Sequence, residues 1–243
     1  MYDQNISTNM LERQGGVLCW AAKWYGKPTV YFSSVRGDGR EKMVKRMHAL
    51  LTEADAVIHY NGKRFDEMLL NQEFLLARLG PTAPYKSIDL FQTAKSFRFP
   101  FAKLEYVLKA TQIGAKVSHE GFPLWRKCMS RFPEYRTLLG DVTAREHARA
   151  WRDMEHYNKN DTTEMEPLYE LMRPWIKNHP NHALYNNEHG MKCPSCNGTH
   201  LTARGYQRSK IARYQRFHCQ DCGTWSKSRT KDSEVRQPDL TAA

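Results

Sequence analysis

Residues 55–79 read DAVIHYNGKRFDEMLLNQEFLLARL. The apolar run 56–60, the polar turn Asn61-Gly62-Lys63-Arg64 and the helically spaced apolar residues after it predict strand, turn and helix in succession. Asp66 falls in the first turn of that helix, where the helix dipole favours a negative charge. Taken alone, such a residue is an ordinary first-turn acid. Whether it is more depends on what the rest of the chain brings to it.

Working outward from this stretch, residues 85–90 (YKSIDL) predict a second short strand containing Asp89, and residues 104–113 predict a helix. On the N-terminal side, two β-rich runs at 17–24 and 29–34 flank Tyr25-Gly26-Lys27-Pro28 and read as a hairpin. Residues 41–53 place Met43 or Val44, Met47 and Leu50 or Leu51 on one helical face. Residues 114–125 have turn composition and no period, so they read as a loop whose Lys116, His119 and Glu120 are candidates to touch a substrate. From 144 to 176 the pattern is helical, with a break or bend expected at Pro167 and near Pro174. On that helix Tyr157 and Asp161 share a face, one turn apart. The alternation of helices and strands makes this an α/β chain.

The 243 residues suffice for one sizeable core and a small appendage, and no apolar run reaches the length of a membrane span. The start is polar, with no apolar segment of the kind that directs secretion, so a cytoplasmic protein is expected. The formal charge of +11 points to a polyanionic partner, nucleic acid before membrane. It is concentrated between 191 and 231, where nine Lys or Arg face one acid, Asp221, for a net +8.

That region also holds Cys193-Pro-Ser-Cys196 and Cys219-Gln-Asp-Cys222, two CxxC pairs with 22 residues between them. This is zinc ribbon spacing, with each pair wrapping one side of a structural Zn²⁺. Cys19 and Cys128 read as small buried hydrophobes. Between and after the pairs, Tyr206, Tyr214, Phe217 and Trp225 alternate with Arg204, Arg208, Lys210, Arg213 and Arg216. Cations beside aromatic rings suit phosphate contact and base stacking, although the rings also suit a small ribbon core. The expected organisation is an α/β domain at 1–177, a linker at 178–190, the ribbon at 191–231 and a disordered tail at 232–243.

Two acids in separate elements, Asp66 after a strand and Asp161 on a late helix, suit hard divalent cations and phosphodiester hydrolysis. His59-Tyr-Asn-Gly-Lys-Arg-Phe-Asp66 resembles the second motif of the DEDD, or DnaQ-like, 3′–5′ exonucleases, with Asn61, Phe65 and Asp66 at its characteristic places. Tyr157-Asn-Lys-Asn-Asp161 resembles their third motif, in the form with tyrosine four residues before aspartate. With the ribbon, the chain is similar to phage or bacterial members of the ribonuclease H-like superfamily. The resemblance implies a mixed sheet flanked by helices and a two-metal exonuclease using Mg²⁺ or Mn²⁺. By it, Asp66 and Asp161 are metal ligands and Tyr157 orients the attacking water. Asn61, Lys63 and Arg64 would contact nucleic acid, as would the ribbon cations Arg204, Arg208, Arg213 and Arg216, with DNA expected before RNA. A phenol is neutral at pH 7 and better suited to orienting water than to deprotonating it. A phage origin would place the protein in the host cytoplasm.

The family's first motif, an Asp-x-Glu on an apolar strand, has no counterpart here, and Tyr2-Asp3-Gln4-Asn5 resembles the segment just after that strand in relatives. Asp3 and Glu12 do not sit in such a strand. The resemblance places the strand centrally, between the first hairpin strand and residues 56–60. It therefore implies that this sheet lacks its centre, that residues 1–243 have little nuclease activity, and that an upstream-extended form degrades DNA. The alternative is a non-catalytic nucleic-acid-binding protein built on a nuclease-like scaffold.

Overall fold

The computed structural model describes residues 15–114, 121–132, 142–185 and 190–233. Lys116, His119 and Glu120 lie outside the described residues. The chain forms two compact units. Unit one comprises residues up to 91 together with 101–166, and unit two comprises 92–100 with the residues from 167 onward.

In unit one the expected hairpin is β1 (Cys19–Lys23) and β2 (Val30–Ser34), antiparallel, with Cys19 opposite Ser34. Its turn closes through Lys27 N–H donating to Trp24 O at 3.0 Å, and Gly26 adopts the left-handed conformation (φ 70°) that suits glycine there. Helix α1 (Arg40–Glu53) follows, then β3 (Ala56–His59), a 3₁₀ turn (Gly62–Arg64) and α2 (Asp66–Leu76). Strand β4 (Lys86–Asp89) pairs in parallel with β3, and α3 (Leu90–Ala94) and α4 (Leu104–Ala110) come after it. Helix α5 (Phe122–Met129) begins inside the segment expected to be a loop. Pro123 is the reason: it reads as a turn residue in sequence but stands at the helix start, where its missing N–H costs nothing.

Helix α6 runs unbroken from Ala144 to Met172, so the break expected at Pro167 does not occur. Thr143 and Glu146 cap its start reciprocally, the Thr143 N–H donating to Glu146 Oε2 (2.9 Å) and the Glu146 N–H to Thr143 Oγ1 (3.2 Å). Beyond the proline, the buried Leu168, Tyr169 and Met172 anchor the last turns, which outweighs the lost hydrogen bond. Near Pro174 the helix does give way to a 3₁₀ turn, Arg173–Trp175.

The strands of unit one form two separate pairs, in keeping with a mixed sheet expected to lack its central strand. Strands β1 and β2 form one two-stranded sheet, and β3 and β4 another. Two clusters of buried residues flank β1. Trp20 packs with Met43, Val44, Met47 and Phe74, with Ala22 against them. Cys19 packs instead on a second cluster that includes Leu124, Cys128, Trp151 and Met154. Successive strand residues point to opposite faces, so β1 has α1 and α2 on one face and α5 and α6 on the other. Glu73, a buried carboxylate on α2, accepts the Val17 N–H (2.9 Å) and pairs with Arg40 of α1, tying the entry of β1 to both helices.

Unit two contains the antiparallel sheet β5 (Leu201–Arg208), β6 (Arg213–Cys219) and β7 (Trp225–Lys227). Asp232, at the start of the expected tail, is held against this sheet by Arg213. Residues 234–243 lie outside the described residues. No helix among the described residues is long and apolar enough to cross a membrane.

Phe74 is 2% exposed at the centre of the first cluster. Phe74→Ala is expected to lower the unfolding free energy by about 3–5 kcal/mol, read from the urea midpoint at unchanged slope.

Candidate active site

The site begins with the turn between β3 and α2. Asn61 takes the left-handed conformation (φ 62°), which asparagine tolerates better than most residues. Its N–H donates to Asp89 Oδ1 at 2.8 Å. Gly62 N–H donates to His59 Nδ1 at 3.0 Å, and a Cβ at Gly62 would lie 2.9 Å from the His59 ring. The glycine is therefore required by close approach rather than by a positive φ. Asp89 also accepts the Phe91 N–H (3.0 Å) at the start of α3. Its part is to hold the turn and cap α3, which accounts for an acid at a strand end that the family motif does not claim.

His59 and Ser87 are in contact, Nε2 to Oγ at 2.6 Å. Because Nδ1 accepts from Gly62, the ring proton sits on Nε2 and is donated to the serine, whose hydroxyl in turn donates to Glu67 Oε1 at 3.1 Å. The imidazole thus has no free nitrogen to take a serine proton, and the group works as a brace rather than as a nucleophile and base. His59, Ser87, Glu67 and Asp89 are the residues that sequence reading did not assemble. Their signal is weak, because they meet only through the parallel pairing of β3 with β4.

Asp66 follows this brace as the first residue of α2. It shares the wall of one cavity of about 1830 Å³ with Tyr157 and Asp161 of α6, so the structure brings all three expected catalytic residues together. The Tyr157 hydroxyl donates to the Asp161 carboxylate. Burial pushes the Tyr157 phenol above its ordinary range, and the charges of Asp161 and Asp66 push it further. The phenol is therefore neutral and unable to act as a base at pH 7; with its proton given to Asp161, its oxygen is left to accept a hydrogen bond from a water. Asp66 keeps an exposed residue surface, yet protein mass around its carboxyl reduces hydration and raises its pKa, with His59 opposing and Glu67 reinforcing. Glu164, one turn beyond Asp161, is also raised, by burial first and by Asp161 among the charges. A divalent cation held between Asp66 and Asp161 on this wall would stabilise their charged forms.

Of the expected nucleic-acid contacts beside the site, Lys63 is exposed and Asn61 is half-buried with its backbone engaged as above. Arg64 lies in the 3₁₀ turn.

In unit two the ligand atoms of Cys193, Cys196, Cys219 and Cys222 all lie within 4.8 Å of one another. The sulfurs of Cys193 and Cys222 are 3.6 Å apart and those of Cys196 and Cys219 3.7 Å. A tetrahedron with metal–sulfur bonds of about 2.3 Å has edges of about 3.8 Å, so the four thiols fit a closed metal site. Asn197 (φ 64°) and Gly223 (φ 75°) make the left-handed turns after each pair. On the neighbouring strands Arg213 stacks over Tyr206 (4.0 Å to the centroid) and pairs with Asp232, while Arg216 lies over Trp225 (5.3 Å) and Lys227 over Tyr214 (4.7 Å). Two of the four expected ribbon cations are therefore committed to rings, whereas Arg204 and Arg208 are exposed.

Residues 16–173 match the family model described as the RNase_H superfamily (RNase_H_2). The chain belongs to that superfamily. Its nuclease-type fold, with a nucleic-acid substrate and divalent metals as the superfamily's usual means, agrees with the acids gathered on α2 and α6. No curated protein and no solved structure matches the chain.

The raised pKa of Asp66 means that the folded protein keeps this proton at pH values where the unfolded chain has lost it. Stability is then lost as pH rises from the ordinary value of 3.8 through the raised one, and stays lost above it. Asp66→Asn should therefore raise the melting temperature near pH 7, with the gain vanishing as the pH approaches 3.8, in a series of thermal melts.

Proposed function

We propose that the protein is a 3′–5′ exonuclease that hydrolyses phosphodiester bonds, of DNA before RNA, by a two-metal mechanism. The observation that carries the reading is the meeting of Asp66, Tyr157 and Asp161 on one cavity wall, with Tyr157 donating to Asp161. Direction of digestion and the preference for DNA rest on the motif resemblance. Bound Mg²⁺ or Mn²⁺ would supply charge neutralisation and a more acidic water. Asp66 and Asp161 would hold the ions through hard carboxylate oxygens, and Tyr157, neutral and oriented, would position the water by a hydrogen bond. The brace of His59, Ser87 and Asp89 keeps the turn before Asp66 in one conformation.

A structural Zn²⁺ on the four cysteines would hold the β5–β7 sheet, whose exposed Arg204 and Arg208 would meet phosphates. Four thiols placed for a metal rather than for disulfides suit a cytoplasmic setting. One observation favours the second reading, a non-catalytic nucleic-acid-binding protein. Two ions need several carboxylates, and the motif residues gathered here supply two, Asp66 and Asp161.

Hydrolysis of end-labelled single-stranded DNA distinguishes the readings. Residues 1–243 should show little cleavage. A form extended ahead of residue 1 by an apolar strand bearing Asp-x-Glu should trim 3′ ends with Mg²⁺ or Mn²⁺. Asp161→Asn should abolish that activity, and Tyr157→Phe should lower it by roughly 10²-fold. An extended form that binds DNA without metal-dependent trimming would establish the binding reading instead. Binding itself should weaken steeply with salt, in proportion to the phosphates contacted.

Metal analysis should find one zinc per chain, and a strong chelator or Cys196→Ala should release it and abolish the protection of β5–β7 amides from exchange.

A further inference from the structure

The sheet of unit two has two unlike faces. Side chains alternate along β6, so Cys219, Phe217, Gln215 and Arg213 share one face and His218, Arg216 and Tyr214 the other. The register carries this division across the sheet, with Trp225 of β7 opposite His218 and Lys227 opposite Arg216. The cysteine face is closed on itself: Cys219 is buried, Phe217 is half-buried, and Arg213 is fixed by Tyr206 and Asp232. The other face is a ladder of alternating rings and cations. Lys227 lies 4.7 Å from the Tyr214 centroid, Arg216 5.3 Å from that of Trp225, and the His218 ring 4.8 Å from the Trp225 ring. Trp225 is nonetheless 51% exposed, and Arg216 and Lys227 are exposed beside it. Where β5 breaks register opposite Arg216 it carries Gly205 (φ 61°), and a Cβ there would lie 3.3 Å from the guanidinium. The bare glycine leaves Arg216 its place across the open face.

Charge completes the contrast. Residues 191–233 contain two acids, Asp221 and Asp232, the first bonded to His200 (2.6 Å) and the second to Arg213 (2.7 Å). Among the described residues no acid pairs with Arg216 or Lys227. A ring orients a cation without cancelling its charge, so both remain available to an anion. In sequence the rings suit either base stacking or a ribbon core. The register separates them, sending Phe217 and Tyr206 to the cysteine face and Tyr214 and Trp225 to the open one. We propose that this open face is a stacking platform for an unpaired nucleic-acid strand, with bases laid on Trp225 and beside Tyr214 and phosphates held by Arg216 and Lys227. Stacking on a ring uses the π-face that every base has, so the platform is tolerant of sequence. In a duplex the bases are already stacked on one another and offer these rings nothing, which leaves the phosphate contacts alone and favours the unpaired strand. The inference deepens the nucleic-acid reading and rests on it, but it requires neither cleavage nor a catalytic metal.

Fluorescence anisotropy tests it, with the full zinc-loaded chain titrated into a labelled thymidine dodecamer and into a labelled duplex of the same length. The titrations run over a series of salt concentrations without Mg²⁺ or Mn²⁺, so that no cleavage intervenes. The single strand should bind several-fold more tightly than the duplex. Trp225→Leu, which keeps apolar bulk and removes the ring, should weaken single-strand binding by roughly ten-fold with the salt dependence unchanged, and Trp225→Phe should restore most of the loss. Arg216→Gln, at an exposed position, should instead lower the slope of log affinity against log salt by about 0.7. Zinc content equal to that of the parent chain shows that the sheet of each variant is folded. Single-strand binding left unchanged by both Trp225→Leu and Arg216→Gln would overturn the platform while the nucleic-acid reading stands. Duplex binding of equal affinity and equal sensitivity to Trp225→Leu would overturn the preference for an unpaired strand. Binding of neither oligonucleotide would overturn the nucleic-acid reading and the platform with it.

Discussion

The constraint on which unit one turns is the pairing of strand backbone. A β-strand has hydrogen-bonding groups on two edges, and in a sheet covered by helices neither edge can be left to water without cost. Strand β1 satisfies one edge through β2, and β3 one through β4. Helices and side-chain contacts then hold the two pairs in place. Two apolar clusters sit on opposite faces of β1, Glu73 gathers the backbone of Val17 and the guanidinium of Arg40, and Glu166 of α6 reaches the hairpin turn through Gly26 N–H and Lys23.

The parallel β3–β4 pair, in contrast, is complete where it meets chemistry. Its register sets His59 opposite Asp89. That alignment brings Asp89 to the Asn61 N–H and Ser87 to His59 Nε2, while the Gly62 bond to His59 is made within the turn itself. The turn is over-determined by local bonds, which is how a left-handed asparagine and a glycine pressed against an imidazole are maintained.

Charge is managed differently in the two units. In unit one, acids are brought near one another and partly dehydrated, and Asp66, Glu164 and the phenol of Tyr157 all shift toward the protonated form. Such an arrangement costs stability and suits binding a cation. In unit two, a small sheet gathers four thiols at one end, and its cations lie over aromatic rings, so part of the basic charge serves the sheet itself.

Sequence alone determined the elements whose cause is local. The periodicity of 41–53 and 144–172, the hairpin with Gly26 at its turn, the CxxC spacing, and Tyr157 one turn from Asp161 could all be read directly, because each depends on residues close in the chain. It also carried the motif around Asp66. Local reading failed where one residue has two uses. Pro123 starts a helix rather than a loop, and Pro167 is carried by the buried residues beyond it. Only the tertiary structure decided which distant groups meet. The Ser87–His59–Asp89 brace depends on strand register, the convergence of α2 and α6 on one cavity depends on packing, and the pairing of Arg213 with Asp232 depends on where the chain returns after β7.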